Sequence, residues 1–162
     1  MTAGARGSRV LLLDHNSHVG AKILISGGGR CNFTNIGTTP SNFISANPHF
    51  ARSALSRYTP KDFLALVEKH KIAWHEKTLG QLFCDGSARQ IVAMLLAECE
   101  AVNVDVRLGV KITDVYKSDH FVIGTSSGTF TSAKLVLATG SLSIPKMGAT
   151  GFSLDLEKKF GL

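Results

Sequence analysis

The chain has 162 residues, 44% of them hydrophobic, and a formal net charge of +6, a size that one core of ordinary dimensions can fill. Its longest apolar runs are a few residues, far short of the roughly 20 needed to span a bilayer, and Val10 to Leu13 is too short for a signal-peptide core, so a cytoplasmic protein with no membrane partner is expected. The three cysteines, Cys31, Cys84 and Cys99, lack Cys-x-x-Cys spacing and give neither a disulfide framework nor a metal site; the basic residues are scattered, with no run longer than Lys158-Lys159, and read as a generally basic surface and no specific nucleic-acid face.

In chain order, Thr2 to Ser8 reads as the tail of a helix entering a turn. Val10-Leu11-Leu12-Leu13-Asp14 follows as a short buried parallel strand closed by an acid. In a dinucleotide-binding fold such an acid accepts hydrogen bonds from the adenosine ribose hydroxyls, about 20 residues after a G-x-G-x-x-G turn. No such turn precedes Asp14, so the first strand and its glycines are expected to be missing. A strand-end aspartate that caps its own turn is the alternative.

Gly20 and Lys22 come next; the glycine permits close approach, and the lysine reaches adenine or pyrophosphate or else sits on a solvated surface. Then comes Ser26-Gly27-Gly28-Gly29-Arg30-Cys31-Asn32-Phe33-Thr34-Asn35. Three consecutive glycines give up side chains so that backbone amides can meet an anionic ligand closely; a plain solvated turn is the competing reading. Arg30 adds fixed charge toward a phosphate or a flavin ring. Cys31 is either a thiol activated by that arginine or a buried packing residue, the latter favoured because no partner cysteine is near in sequence.

Residues 36–58 are rich in Thr, Ser, Asn and Pro, suited to loops and short helical turns. Thr59-Pro60-Lys61-Asp62 predicts a helix start, with Phe63, Leu64, Leu66 and Val67 on its apolar face. Ile72 to Glu76 and Gln81 to Cys84 predict two short strands joined around Gly80. Ser87-Ala88-Arg89-Gln90 is a second capping box, opening a helix to about Ala101. Val104 to Leu108 predicts a parallel strand, residues 112–131 three short β runs of a meander, and Lys134 to Ala138 a final strand leading to Thr139-Gly140.

Two stretches, Val10 to Asn35 and Leu135-Val136-Leu137-Ala138-Thr139-Gly140 with Ser143 to Gly151, resemble bacterial NAD(P)/FAD-dependent oxidoreductases, the aminoacetone-oxidase-like flavoproteins. The resemblance covers nearly the whole chain. It implies an α/β fold, an FAD/NAD(P)-binding Rossmann-like parallel sheet with a β-meander crossover, truncated at both ends. Residues 1–162 then form a partial FAD-binding domain, with 36–86 as an excursion covering the cofactor and 104–131 as the parallel strand plus meander. It places Ile112 where a strand residue's backbone meets the adenine edge, although an isoleucine there is buried in any case. Thr139 and Gly140 fall at the C-terminal end of a parallel strand, where ligands bind in open α/β sheets.

The expected cofactor-binding set is Asp14, Gly20, Lys22, Ser26, Gly27, Gly28, Gly29, Arg30, Cys31, Asn32, Ile112, Thr139 and Gly140; no catalytic residue is assigned. Ala21, where a basic residue is expected, and Ser141, where a second glycine is usual, depart from the pattern. The expected function is FAD-dependent oxidation or reduction of a small-molecule substrate, with NAD(P)H as a plausible electron donor. A non-catalytic truncated product that binds nucleotide weakly is the alternative, and exposed strand edges would let either self-associate.

Overall fold

A computed structural model describes residues 1–140 and 151–161. The loop read at Ser143 to Gly151 therefore lies outside the described residues, apart from Gly151. The chain divides into two compact units, one of residues 1–7 and 22–103 and the other of residues 8–21 and 104–162.

In the first unit, α1 (Thr2–Ala5) is a single turn, and α2 (Ala21–Ile25) runs directly into a 3-10 turn at Ser26–Gly29. β2 (Asn32–Asn35), β3 (Trp74–Glu76) and β4 (Gln81–Cys84) form an antiparallel sheet with β4 in the centre. Three helices accompany it: α3 (Arg52–Arg57), α4 (Pro60–Lys69) and α5 (Ala88–Glu100).

Both long helices begin where their side chains satisfy orphan amides. The Thr59 N–H donates to Asp62 Oδ2 at 2.7 Å and the Asp62 N–H to Thr59 Oγ1 at 3.2 Å. At α5 the Arg89 N–H donates to Ser87 Oγ at 3.2 Å while Gln90 Oε1 accepts from the Ser87 N–H, also at 3.2 Å. Helical spacing puts Val67 of α4 and Ile91 and Met94 of α5 into one core with Cys84, Cys31, Ile72 and Ala88. Burial of each large aliphatic side chain stabilises by roughly 1.5–3 kcal/mol.

In the second unit, β1 (Leu11–Leu13) pairs in parallel with β5 (Asp105–Arg107), Leu12 facing Val106. The pairing continues one step beyond β1, since the Asp14 N–H donates to the Arg107 carbonyl and the Val110 N–H to the Asp14 carbonyl, both at 3.0 Å. β6 (Ile112–Lys117), β7 (Phe121–Thr125) and β8 (Gly128–Ser132) make an antiparallel meander. Against it, α6 (Phe152–Phe160) brings Leu156 to Val115 and Ile123, the centre of a second core.

The strand expected at Lys134 to Ala138 does not form. Leu135 and Leu137 pack against the second core while Val136 is 84% exposed, so the segment keeps the two-residue alternation of a strand. Among the described residues no neighbour supplies a ladder, and alternation without a partner yields extended chain only.

Candidate functional site

The glycine run occupies a tight turn with all three residues in left-handed backbone, Gly27 at φ +56°, Gly28 at +68° and Gly29 at +86°. The three have different reasons to be glycine. A Cβ on Gly27 would lie 2.6 Å from Phe83 Cε1 and 2.9 Å from the Asn32 nitrogen, so close packing on β4 demands its absence. Beyond its chain neighbours, a Cβ on Gly28 would meet nothing within 4 Å, and one on Gly29 only the Leu24 carbonyl oxygen at 3.9 Å. Here the backbone faces open space.

Two amides of the run are occupied internally, the Arg30 N–H by the Gly27 carbonyl at 3.4 Å and the Cys31 N–H by the Ser26 carbonyl at 3.0 Å. Neither therefore points at a ligand. Ser26 Oγ donates to the Ile23 carbonyl at 2.8 Å, tying the turn to α2. Arg30 is exposed and has no ionic partner among the described residues. Cys31 is buried in the first core and adopts φ +51°, a conformation that costs a non-glycine residue roughly 1–2 kcal/mol. Asn32 opens β2 opposite Phe83. Lys22 lies on α2, one turn ahead of Ser26.

Asp14, Gly20, Ile112, Thr139 and Gly140 belong to the second unit. Asp14 stands just past the C-terminal end of β1, and its Oδ1 accepts from the Asn16 N–H at 2.9 Å and from Asn16 Nδ2 at 3.0 Å. His15 Nδ1 approaches the same oxygen at 3.8 Å. Oδ1 thus caps the turn, whereas Oδ2 has no hydrogen-bond partner among the described residues. The capping and ligand readings of this residue are compatible, one oxygen for each.

Gly20, at φ +73°, precedes α2. Ile112 begins β6 opposite Thr125 and packs on the second core. Thr139 and Gly140 end the extended segment. Gly140 turns the chain at φ +74°, and its carbonyl accepts from Ser153 Oγ at 2.8 Å, anchoring the turn to the first residues of α6.

Three polar groups outside this set are well organised. Glu98 Oε1 accepts from Lys69 Nζ at 2.6 Å and His70 Nε2 lies 2.7 Å away; these hydrogen bonds hold the Glu98 carboxyl below its ordinary range. His75 Nδ1 is 2.6 Å from Asp85 Oδ1, and its ring stacks on Phe83 at 6.1 Å. Burial, reinforced by Cys31 and Asp85, pushes the Cys84 thiol up to about 11, so it is a packing group and no nucleophile at neutral pH. The pairings of Glu98 and His75 are not visible in sequence, because the partners are 10 to 29 residues apart.

Reading for basic runs also missed a charge signal. Between Asp14 and Asp62 the chain has no Asp or Glu at all, while Lys22, Arg30, Arg52, Arg57 and Lys61 contribute +5 of the net +6. A search for gaps between acids would have found it. Among the described residues, no group of three His, Cys, Asp or Glu could hold a metal ion, and no helix is long and apolar enough to cross a membrane.

A parallel strand pair ending in a carboxylate, followed by a glycine turn and a β-meander, defines a nucleotide-binding α/β protein of the Rossmann type. The chain belongs to the HI0933-like protein Rossmann domain family, which it matches over residues 1–162. It is 53% identical over 161 residues to the ribosomal RNA dihydrouridine synthase of Escherichia coli, covering 99% of this chain and 40% of that protein. The enzyme of the same name from Haemophilus influenzae is 44% identical over 161 residues, covering 96% of this chain and 40% of that protein. A 3-dehydro-bile acid delta(4,6)-reductase of Clostridium scindens is 26% identical over 157 residues, covering 95% and 38%. The chain thus spans about two fifths of the curated relatives it matches. Among solved structures it is similar to the open form of NikD, an unusual amino acid oxidase, with a TM-score of 0.48 and 15% identity over 87% of this chain and 47% of that one.

Proposed function

We propose that this chain is the FAD-binding part of a reductase that saturates the C5–C6 double bond of a uridine in ribosomal RNA. The observation that carries the reading is 53% and 44% identity, over nearly the whole chain, to two ribosomal RNA dihydrouridine synthases. The bile acid reductase is consistent with it, since a dienone and a uracil both offer a carbon–carbon double bond conjugated to a carbonyl. These names favour an RNA substrate over the small molecule expected from the sequence, and reduction over the amine oxidation implied by an aminoacetone-oxidase-like resemblance.

The residues fit FAD on two counts. Oδ2 of Asp14, at the end of a parallel strand, is open to a ribose hydroxyl. Gly28 and Gly29 present backbone with no side chain in the way, beside the exposed Arg30, which suits anionic oxygens. Gly27 is glycine for packing, and Cys31 and Ile112 serve the cores; in this reading Ser26 and Asn32 fix the turn's shape, Lys22 is the first unit's further candidate for contact with the cofactor, and Gly20, Thr139 and Gly140 are those of the second unit. When bound, reduced FAD supplies an electron pair with one hydrogen, a proton completes the saturated product, and NAD(P)H is the proposed source of the electrons. The protein's share is to bind and orient the two reactants, acting in the cytoplasm where ribosomes are found. Backbone left unpaired among the described residues, on one side of β1 and along the extended residues 134–138, would favour self-association.

The test is to purify the intact protein, identify the cofactor by visible spectrum and mass, and incubate it with NADPH and RNA. Dihydrouridine in the digested RNA supports the reading. A colourless protein that leaves uridine unchanged refutes it.

A further inference from the structure

We propose that a cleft in the first unit, between residues 36–40 and residues 52–61, together with the exposed segment joining them, is a docking surface for single-stranded RNA next to the uridine that is reduced. The inference rests on the RNA reading above and deepens it.

The cleft has a volume of about 540 Å³, and its lining includes Arg52, Lys61, Ser56, Thr38, Thr39 and Leu55. Two cations and an apolar wall are the groups that meet phosphates and the face of a base; of the hydroxyls, those of Thr39, Ser56 and Thr59 already hydrogen-bond within the chain, to Asn42 at 3.1 Å, the Ser53 carbonyl at 3.1 Å and Asp62 at 2.6 Å, and offer RNA only their acceptor oxygens. Neither Arg52 nor Lys61 has an ionic partner among the described residues, so both charges are available. Every residue from 41 to 50 is exposed. Phe43 at 45%, Ile44 fully, and Phe50 at 70% display large apolar surface there, although nothing in the unit's core recruits them.

Charge identifies the occupant. This cleft lies inside the acid-free stretch between Asp14 and Asp62, which carries nearly all of the chain's excess positive charge. A protein partner of ordinary composition needs no such exclusion of carboxylates, whereas a polyanion does. Exposed aromatic rings beside a positive groove are how single strands are held, their bases stacking while the backbone follows the charge. A duplex would leave the rings unused.

The experiment measures binding of a fluorescein-labelled, uridine-containing 12-nucleotide RNA to the intact protein by anisotropy, over a range of salt concentrations. Flavin content is read from the visible spectrum of the same samples. Each phosphate of a single strand that is no longer neutralised lowers the log–log salt slope by about 0.7. The double variant Arg52→Gln/Lys61→Gln should therefore lose about 1.4 of slope, or roughly 25-fold in affinity at 0.1 M salt, with flavin content unchanged. Phe50→Ala should weaken binding by roughly 5- to 150-fold through the loss of base stacking and leave the slope as it was. Lys111→Gln/Lys158→Gln removes the same charge from the second unit and should lower affinity far less.

Equal losses in the two double variants would reduce the effect to bulk charge and overturn the proposal. So would loss of flavin with RNA binding intact, which would make the cleft a cover for the cofactor. Wild-type affinity in the Arg52/Lys61 variant, with dihydrouridine still formed, would overturn the docking surface alone. Loss of RNA binding in the Arg52/Lys61 variant, when the wild type binds RNA but forms no dihydrouridine, would sustain the surface and sink the enzymatic reading.

Discussion

Replacing Gly27 or Gly28 by alanine separates packing from ligand approach within a single turn. Both residues are in left-handed backbone, at +56° and +68°, so each substitution incurs roughly 1–2 kcal/mol of conformational strain. Only at Gly27 does the new methyl group collide, at 2.6 Å from the Phe83 ring and 2.9 Å from the Asn32 nitrogen. Phe83 has little room to yield. It is buried, stacks on His75 at 6.1 Å and has Lys77 Nζ 5.5 Å from its ring centre. Overpacking of this kind adds about 1–3 kcal/mol, so Gly27→Ala should cost roughly 2–5 kcal/mol in total and Gly28→Ala only the strain. Urea unfolding of both variants beside the wild type reads the difference in midpoint at constant slope. The flavin-to-protein ratio should follow the opposite logic: Gly28→Val folds yet loads poorly, because its side chain fills the space before the backbone. Equal destabilisation by the two alanines would refute the packing argument, and full flavin in Gly28→Val would return that residue to a solvated turn.

Three further outcomes are expected. Asp14→Asn keeps an oxygen to accept from Asn16 but removes the charge on the open side, so FAD affinity measured by titrating apo-protein should fall by about 1.5–3 kcal/mol with the fold intact; unchanged affinity would leave only the cap. The Glu98 carboxyl sits below its ordinary value because Lys69 and His70 hydrogen-bond its ionised form. Its stabilisation is therefore present above the unfolded carboxyl's titration and lost as pH falls through the lower folded value. Stability against pH for Glu98→Gln should lack that acid-side decline, and parallel curves for the two proteins would contradict it. Finally, the Cys84 thiol, fully buried and pushed up to about 11, should resist iodoacetamide at pH 8 until the protein is unfolded, whereas the half-buried Cys99 reacts in the native state; peptide mass spectrometry reads both sites.

Local signals in the sequence translated directly into structure. Thr59 with Asp62 and Ser87 with Gln90 close their capping boxes as their spacing implies, since both partners lie within one turn and need nothing from the rest of the molecule. Val104 to Leu108 and Val10 to Leu13 contain the parallel pair, and residues 112–131 contain the three strands of the meander. Where a partner decides the outcome, the sequence is silent. Lys134 to Ala138 has a strand's composition and no ladder. Cys31 and Leu79 adopt left-handed backbone, at +51° and +58°, without the residue type that announces it. The glycine run was legible as a special turn, but its division into one packing glycine and two open ones depends on Phe83, more than fifty residues away. The acid-free stretch was present in the sequence from the start; it is an absence, and counting basic runs does not reveal it.

A single turnover tests the central claim most directly. The intact protein is reduced with a small amount of NADPH under anaerobic conditions, until its visible flavin absorbance is bleached, and is then mixed with unmodified ribosomal RNA. If the protein is a flavin-dependent uridine reductase, the absorbance returns and one dihydrouridine appears in the RNA for each flavin reoxidised. If the absorbance stays bleached until oxygen is admitted and the uridines are unchanged, ribosomal RNA is not its substrate.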